Sequence, residues 1–208
     1  MTRPLFDRRH AALTLLAAAL APAVAQARVA RDPQAEQFVQ TEGQKALSVV
    51  ANRALAGQAR DAAFRQMIDQ LADFQRITGF VLGKYARVAT PAQRQQFNSV
   101  FRLYAQNLFQ SHLAGFKGNR LQVTGSVVRG PSDVVVNTTV SGDPSAGPLP
   151  VSWRVLGGPG TYRAVDVQTR GVWLAITLQQ DFVSTIDNAG GDVAVLITRL
   201  QRETARRG

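Results

Sequence analysis

Apolar residues recur along the chain at two different periods, and the change of period divides the sequence into regions. From Gln34 to about Phe116 they recur at the spacing of amphipathic helices. From Leu121 onward apolar and polar residues alternate, which is typical of half-buried strands. Helices first, one curled antiparallel sheet next and helices last predict an α+β fold.

The segment from Asp73 to Phe97, DFQRITGFVLGKYARVATPAQRQQF, shows the helical pattern most clearly. It predicts a helix that begins after Asp73 and carries one apolar stripe, formed by Phe74, Ile77, Phe80, Val81 and Tyr85. Thr90, Pro91 and Gln93 then have the positions of a helix cap, a first helical residue and a capping-box partner. A second helix is therefore predicted to begin at Pro91.

The helix predicted from Pro91 has two contrasting faces. Its apolar face carries Phe97, Val100, Phe101, Tyr104 and Leu108. The opposite face should contact water, and its residues are Arg94, Gln95, Asn98, Arg102 and Gln106. A helix of this kind packs its aromatic face against another layer of the fold.

Five short alternating segments follow, separated by turn residues. They are LQVTGSVV, DVVVNTTVS, LPVSWRVL, YRAVDVQT and GVWLAITL, at 121–128, 133–141, 149–156, 162–169 and 171–178. Their short links predict an antiparallel five-stranded meander. A helix around Phe182 and Ile186, a break at Gly190-Gly191 and a last helix from Asp192 to Leu200 complete the prediction.

The N-terminus has the layout of an export signal. Three arginines precede an uncharged apolar run from Ala11 to Ala25, which is too short to cross a bilayer, and small residues suited to cleavage follow. We expect cleavage after Ala27, with a retained membrane anchor as the alternative. The Arg8-Arg9 pair fits twin-arginine export but the residues beside it do not, so the Sec and twin-arginine routes both stay open.

Length, composition and charge limit the structures and functions that are possible for the rest of the chain. Residues 28–208 are the length of one domain, which we expect to be ordered over about 34–200. The sequence has no cysteine, which excludes disulfides, thiol nucleophiles and thiolate metal sites. Its net charge of +10 falls to +8 without the signal. For an exported protein this charge favours anionic lipid surfaces or acidic protein faces over nucleic acid, and solubility alone explains it as well.

Candidate catalytic residues are few. His112 is the only histidine after the signal, and no acidic or cysteine partner lies near it in sequence. Asp166 is a charge inside the predicted strand AVDV; it faces water, pairs with an arginine or lies at the mouth of a pocket. Neither residue forms part of a catalytic or metal-ligand pattern, so we expect no enzyme activity, no metal and no cofactor.

Two segments resemble a known family. DFQRITGFVLGKYARVATPAQRQQF is similar to a family segment in which Asp-Phe precedes a helix ending in Leu-Gly-(Arg/Lys)-Tyr, followed by an Ala-Thr-Pro start signal. YRAVDVQTRGVWLAITLQQDF, from Tyr162 to Phe182, resembles its second signature, and GGDVAVLITRL its closing helix. The segments resemble the MlaC, or toluene-tolerance, family of periplasmic phospholipid carriers. The resemblance extends from about Gln34 to Leu200.

The resemblance implies an NTF2-like fold with an apolar cavity between helices and sheet. It implies a phospholipid carrier in the periplasm that passes its cargo between an inner-membrane ABC transporter complex and an outer-membrane lipoprotein complex, which maintains outer-membrane lipid asymmetry. The lipid would contact Ile77, Phe80, Val81, Tyr85, Phe101, Tyr104, Val123, Val136, Val155, Val167 and Leu174. Lys84 and Arg87, beside the first signature, would guide docking.

The sequence departs from the family pattern at three positions. Ala86 stands where the family usually has Trp, Trp173 where it often has Ser, and Gln179 where Arg is common. Because of these departures, the protein could instead be a hopanoid-associated relative of the family. An exported NTF2-like enzyme or a structural partner protein is the alternative from another functional class.

Overall fold

The structure is a computed structural model and describes residues 30–52, 54–55, 57–113, 118–144 and 147–206. The export signal predicted over residues 1–27 lies outside them. In chain order the elements are α1 (Pro33–Ala51), α2 (Gly57–Leu71), α3 (Phe74–Val81), α4 (Tyr85–Val88), α5 (Pro91–Leu113), β1 (Arg120–Gly130), β2 (Asp133–Ser141), β3 (Leu149–Leu156), β4 (Arg163–Thr169), β5 (Val172–Trp173), α6 (Leu174–Asn188) and α7 (Val193–Ala205).

The strands form one antiparallel sheet in the order β1-β2-β3-β4-β5, in which every strand pairs with its neighbour in sequence. This sheet is not closed into a barrel, and with the helices it confirms the predicted α+β fold. Strand β2 shows strict alternation: Val134, Val136, Thr138 and Val140 are buried, and the residues between them are half-buried. The period-two alternation that the sequence predicts for this segment is therefore confirmed.

The fifth strand is far shorter than predicted. Segment 171–178 contributes only Val172 and Trp173 to the sheet, and α6 begins at Leu174. The helix starts early because the Asp166 carboxylate accepts the backbone N–H of Ala175 at 2.8 Å and so caps its first turn. A short and mostly apolar segment such as this one does not by itself distinguish strand from helix.

A bulge in β1 changes the face that its later residues present. Pairing shifts between Val123 and Gly125, which has a φ of 153°. Beyond the bulge Ser126 is buried and Val127 is exposed, the reverse of the predicted alternation. Ser126 meets the start of α1, where its hydroxyl accepts the N–H of Asp32 at 2.8 Å.

Helix α1 lies against the edge strand β1. The Gln40 amide donates to the carbonyl of Leu121 at 2.9 Å, and Gln44 accepts the N–H of the same residue at 2.8 Å. These bonds satisfy backbone groups that an edge strand would otherwise expose to another chain. Gly43 allows the close approach, since a Cβ there would lie 2.9 Å from the Leu121 side chain.

The buried side chains form two separate apolar clusters. The sheet core joins α1 and α2 to the inner face of the sheet and contains Ala35, Val39, Ala46, Leu47, Phe64, Met67, Leu71, Leu121, Val134, Val136, Val140, Val151, Trp153, Val155, Tyr162 and Ala164. The helical core joins α3 through α7 and contains Val81, Leu82, Tyr85, Ala89, Phe97, Val100, Phe101, Ala175, Phe182, Ile186, Val193, Leu196, Ile197 and Leu200.

Helix α5 confirms the predicted start signal and corrects one prediction about its polar face. The Gln93 N–H donates to the Thr90 hydroxyl at 3.2 Å, and the Thr90 N–H donates to the Gln93 side chain at 2.9 Å. Gln106 was expected to contact water but is buried, with 8% of its surface exposed. The prediction was wrong because this part of α5 covers a cavity instead of facing solvent.

Candidate functional site

An apolar cavity of about 130 Å³ lies at the boundary between the sheet core and the helical core. Phe64, Leu71, Trp153 and Ala164 of the sheet core form one side of it. The opposite side comes from α3, α5 and α6 and includes Phe74, Ile77, Phe101, Ala105, Ala175 and Leu178. The walls are almost entirely apolar, so the cavity suits a hydrocarbon group better than a polar one.

The junction between α2 and α3 fixes the helical wall of the cavity. Ala72 forms a parallel bridge with Ala164 of β4, and the Asp73 N–H donates to the Ala164 carbonyl at 3.0 Å. The Asp73 carboxylate then caps α3 by accepting the N–H of Arg76 at 2.9 Å. This anchoring places the apolar stripe of α3, including Ile77, over the sheet.

Charged residues from α2 and α5 surround one side of the cavity; Arg65, Asp69 and Arg102 are here called the polar rim. Arg102 forms an ion pair with Asp69, and its guanidinium lies 4.6 Å from the centre of the Phe74 ring. The Arg65 side chain is exposed and forms no hydrogen bond or ion pair with another described side chain. The rim can therefore offer a cation to an anionic group at the cavity mouth.

Asp166 is the half-buried carboxylate of the cavity wall. Burial raises its pKa, while the backbone N–H groups of Ala175 and Val167, each 2.8 Å away, and the nearby Arg154 oppose the increase. Arg154 stands opposite Asp166 in the sheet register but binds the carboxylate of Asp133 at 2.9 Å. The structure thus places Asp166 beside a pocket and gives it a defined role, the capping of α6.

The eleven residues predicted to contact lipid divide into three groups. Ile77, Phe101, Val167 and Leu174 line the cavity. Val136 and Val155 belong to the sheet core, with Val123 packed against it, and Val81, Tyr85 and Tyr104 are in or against the helical core. Phe80 is 38% exposed and lies outside both cores. Periodicity identified the buried faces, but only the packing separates cavity lining from solid core.

Several cavity residues were not predicted as site residues. Helix α2 contributes Phe64, Ile68 and Leu71, which fall at helical spacing in the sequence. Trp153 and Leu178 also line the cavity. The signal for α2 was its apolar stripe, which did not show that the helix faces the same space as α3.

Lys84 and Arg87, the predicted docking pair, differ in their surroundings. Lys84 lies 2.7 Å from the Asp187 carboxylate, which also accepts the Tyr85 hydroxyl, and this contact with Lys84 lowers the pKa of Asp187. Arg87 is exposed and has no ion pair with another described residue. Of the two, Arg87 presents the more available positive charge.

The described residues contain neither a metal-binding cluster nor a membrane-spanning helix. They contain no group of three or more His, Cys, Asp or Glu side chains arranged to hold a metal ion. Within them no helix combines the length and apolarity needed to cross a membrane. The cavity and its polar rim therefore remain the candidate site in this part of the chain.

Comparison with known proteins identifies the family. The model of the MlaC protein family matches residues 40–202, which is most of the chain. The chain belongs to the MlaC family. A structural match is the phospholipid-binding protein from Ralstonia solanacearum, solved in complex with a phospholipid. The TM-score is 0.73 at 25% sequence identity, and the match covers 83% of this chain and 97% of the other.

The three departures from the MlaC pattern lie around the helical core. Ala86 packs against that core and is half-buried. Trp173 is the residue just before α6, and the Gln179 amide donates to the Phe80 carbonyl at 2.6 Å. Gln179 thereby links α6 to α3 through a neutral side chain.

Proposed function

We propose that this MlaC-family protein binds a phospholipid and carries it, with acyl chains among the residues of the apolar cavity and the head group at the polar rim. The cavity between the two cores carries this proposal. The phospholipid bound to the Ralstonia solanacearum protein supports it. A binding role requires neither a catalytic group nor a metal.

The energetics of lipid transfer explain why such a cavity is needed. Each methylene removed from water gains about 0.8 kcal/mol, so roughly thirty methylenes in two acyl chains amount to more than 20 kcal/mol. A carrier must match most of this stabilisation while its own fold keeps the chains away from water. The Phe, Ile, Leu and Trp side chains that line the cavity supply that environment.

The cavity must enlarge to accept a lipid. Its volume of about 130 Å³ resembles that of an engineered cavity of about 150 Å³ that binds benzene. Two acyl chains need far more space. The cavity lies between two cores that are each internally packed, so separating them widens it without disrupting either core. Lipid entry by separation of the sheet core from the helical core follows from this arrangement.

We further propose the cellular role that the family implies. The protein works in the periplasm, exported through residues 1–27, and exchanges lipid with an inner-membrane ABC transporter complex and an outer-membrane lipoprotein complex. In that role it contributes to outer-membrane lipid asymmetry. Exposed basic residues such as Arg87 guide docking onto acidic partner faces or anionic membranes, because opposite charges attract over about 8 Å at physiological salt.

Extraction of the purified protein with organic solvent, followed by mass spectrometry, tests the binding role. We expect about one phospholipid per chain, and exchange of that lipid when the protein meets liposomes. The variant Leu103→Ser is a control, because Leu103 lies on the exposed face of α5 and is 47% exposed. This variant should bind lipid as wild type does. A folded protein that is lipid-free and stays empty beside liposomes would contradict the proposal.

A further inference from the structure

Gln106 carries a buried polar atom that has no partner. Its side chain is only 8% exposed and lines the apolar cavity, and no hydrogen-bond donor among the described residues reaches its Oε1. Such atoms are rare in native proteins because an unsatisfied carbonyl loses its bonds to water without replacement. Leucine or methionine at this position would avoid that loss, so the amide points to a ligand.

Other polar groups inside the described fold are satisfied locally. The Thr78 hydroxyl donates to the carbonyl of Phe74 at 2.6 Å, and the Thr138 hydroxyl donates to that of Val151 at 2.8 Å. The Asp166 carboxylate, also at the cavity, accepts two backbone N–H groups. These side chains have structural partners, whereas the Oε1 of Gln106, a residue that lines the cavity, has none among the described residues.

The position of Gln106 relative to the polar rim indicates which part of a ligand it meets. It follows Arg102 by four residues on α5, which is one helical turn or about 6 Å along the helix axis. Arg102 belongs to the rim, where a lipid phosphate would bind, and Gln106 is buried beside the apolar wall. A group between the phosphate and the acyl chain of a lipid is therefore the part that approaches this amide.

We propose that the Gln106 Oε1 accepts a hydrogen bond from a hydroxyl or amide N–H that the cargo lipid carries beside its acyl chain, so that the cavity prefers lipids with such a donor. This inference rests on the proposed lipid-binding function and specifies its ligand. A diacyl glycerophospholipid has only ester oxygens at that point, which accept and do not donate. Lysophospholipids supply a hydroxyl there, and lipids with an amide-linked chain supply an N–H.

Matched lipid pairs test the preference. The first pair is lysophosphatidylcholine and its 2-O-methyl analogue with the same chain, which differ in the hydroxyl donor. The second is diacyl phosphatidylcholine and its 2-acylamino-2-deoxy analogue with the same chains and head group, which differ only in an amide N–H in place of an ester oxygen. Affinities are measured on delipidated protein by displacement of a fluorescent fatty acid. Wild-type protein should prefer the donor lipid by about two- to tenfold in one pair or both.

Variants on α5 test whether the lipid preference depends on the Gln106 amide. Gln106→Met keeps the length of the side chain and removes the amide, so it should bind both members of each pair with equal affinity. Gln95→Met, the same substitution at an exposed position of the helix, should retain the wild-type preference. Thermal unfolding shows whether each variant folds.

The possible outcomes separate a failure of the Gln106 inference from a failure of the proposed lipid-carrier function. Lipid binding without any preference in the wild type overturns the role of Gln106 and leaves the carrier function standing, as does a preference that survives in Gln106→Met. Absence of binding to every lipid overturns both. A preference that is present in wild type and Gln95→Met and absent in Gln106→Met supports the inference.

Discussion

Arg102 on α5 forms an ion pair with Asp69 on α2, and this contact joins the helical core to the sheet core at the rim of the cavity. Both side chains are about half exposed, so the pair adds at most about 1 kcal/mol to stability. It is weak enough to open when the two cores separate. Its position makes it a useful marker of the proposed entry route.

Covalent linkage of this pair should block lipid exchange. The native sequence has no cysteine, so an Asp69→Cys/Arg102→Cys variant contains two thiols that a short bis-maleimide can join. If lipid enters by separation of α2 from α5, the cross-linked protein should neither take up nor release a fluorescent phospholipid. The same variant before cross-linking also lacks both rim charges, so it is the reference, and it should exchange lipid faster than the cross-linked protein. Rapid exchange by the cross-linked protein would show that entry occurs elsewhere.

Filling the cavity should reduce lipid loading while the fold persists. Ala105 lines the cavity from α5, so Ala105→Phe places a ring in the space that acyl chains would occupy. We expect Ala105→Phe to lower the free energy of unfolding by no more than about 3 kcal/mol. The amount of bound lipid should fall clearly. Leu103→Phe, on the exposed side of the same helix, is the matched control. Urea denaturation and lipid extraction measure the two effects, and undiminished loading of Ala105→Phe would place the acyl chains outside this cavity.

Asp166 should make stability depend on pH. Burial raises the pKa of Asp166 in the folded protein, so its contribution to stability is full below the unfolded pKa and is lost as pH rises through the folded pKa. Asp166→Asn keeps an oxygen for the N–H groups of Val167 and Ala175 and removes the charge. The variant should therefore gain stability relative to wild type as pH rises from about 4, and the gain should then level off.

Denaturant unfolding of both proteins across this pH range measures the effect. A difference between wild type and Asp166→Asn that is independent of pH would mean that Asp166 titrates normally. Comparison at low pH, where both side chains are neutral, separates the charge from any change in the cap of α6.

Charge reversal at Arg87 should slow lipid transfer more than reversal at Lys84. Arg87 is exposed without an ion pair to another described residue, whereas Lys84 is partly neutralised by Asp187 at 2.7 Å. Transfer of a fluorescent lipid to anionic vesicles should slow most at low salt, where charges act over longer distances. Bound lipid should remain bound, since the hydrophobic contacts that hold it do not depend on these charges.

Ionic strength provides the control for this docking role. At high salt Arg87→Glu and wild type should transfer at similar rates. Equal rates at low salt would exclude Arg87 from docking, and loss of bound lipid from Arg87→Glu would instead assign the residue to the binding site.

Local sequence signals determined much of the fold. The capping box of Thr90 and Gln93, the cap at Asp73 and the alternation along β2 all act between residues close in the chain, and each was predicted correctly. Such features depend on backbone geometry and neighbouring side chains, which the sequence displays directly. The family signatures, confirmed by the match over residues 40–202, identified the overall architecture.

Contacts between distant segments decided what the pattern left open. The bulge near Gly125 turned Ser126 inward, and Asp166 ended the sheet by capping α6, although 171–178 reads as a strand. The same holds for the site. Ile77 lines the cavity and Val81, one turn later on the same stripe, is sealed in the helical core. Both residues fit the apolar stripe, because the hydrophobic effect favours removal of either side chain from water. Whether the space beside such a residue is filled or empty depends on how the two separate cores meet.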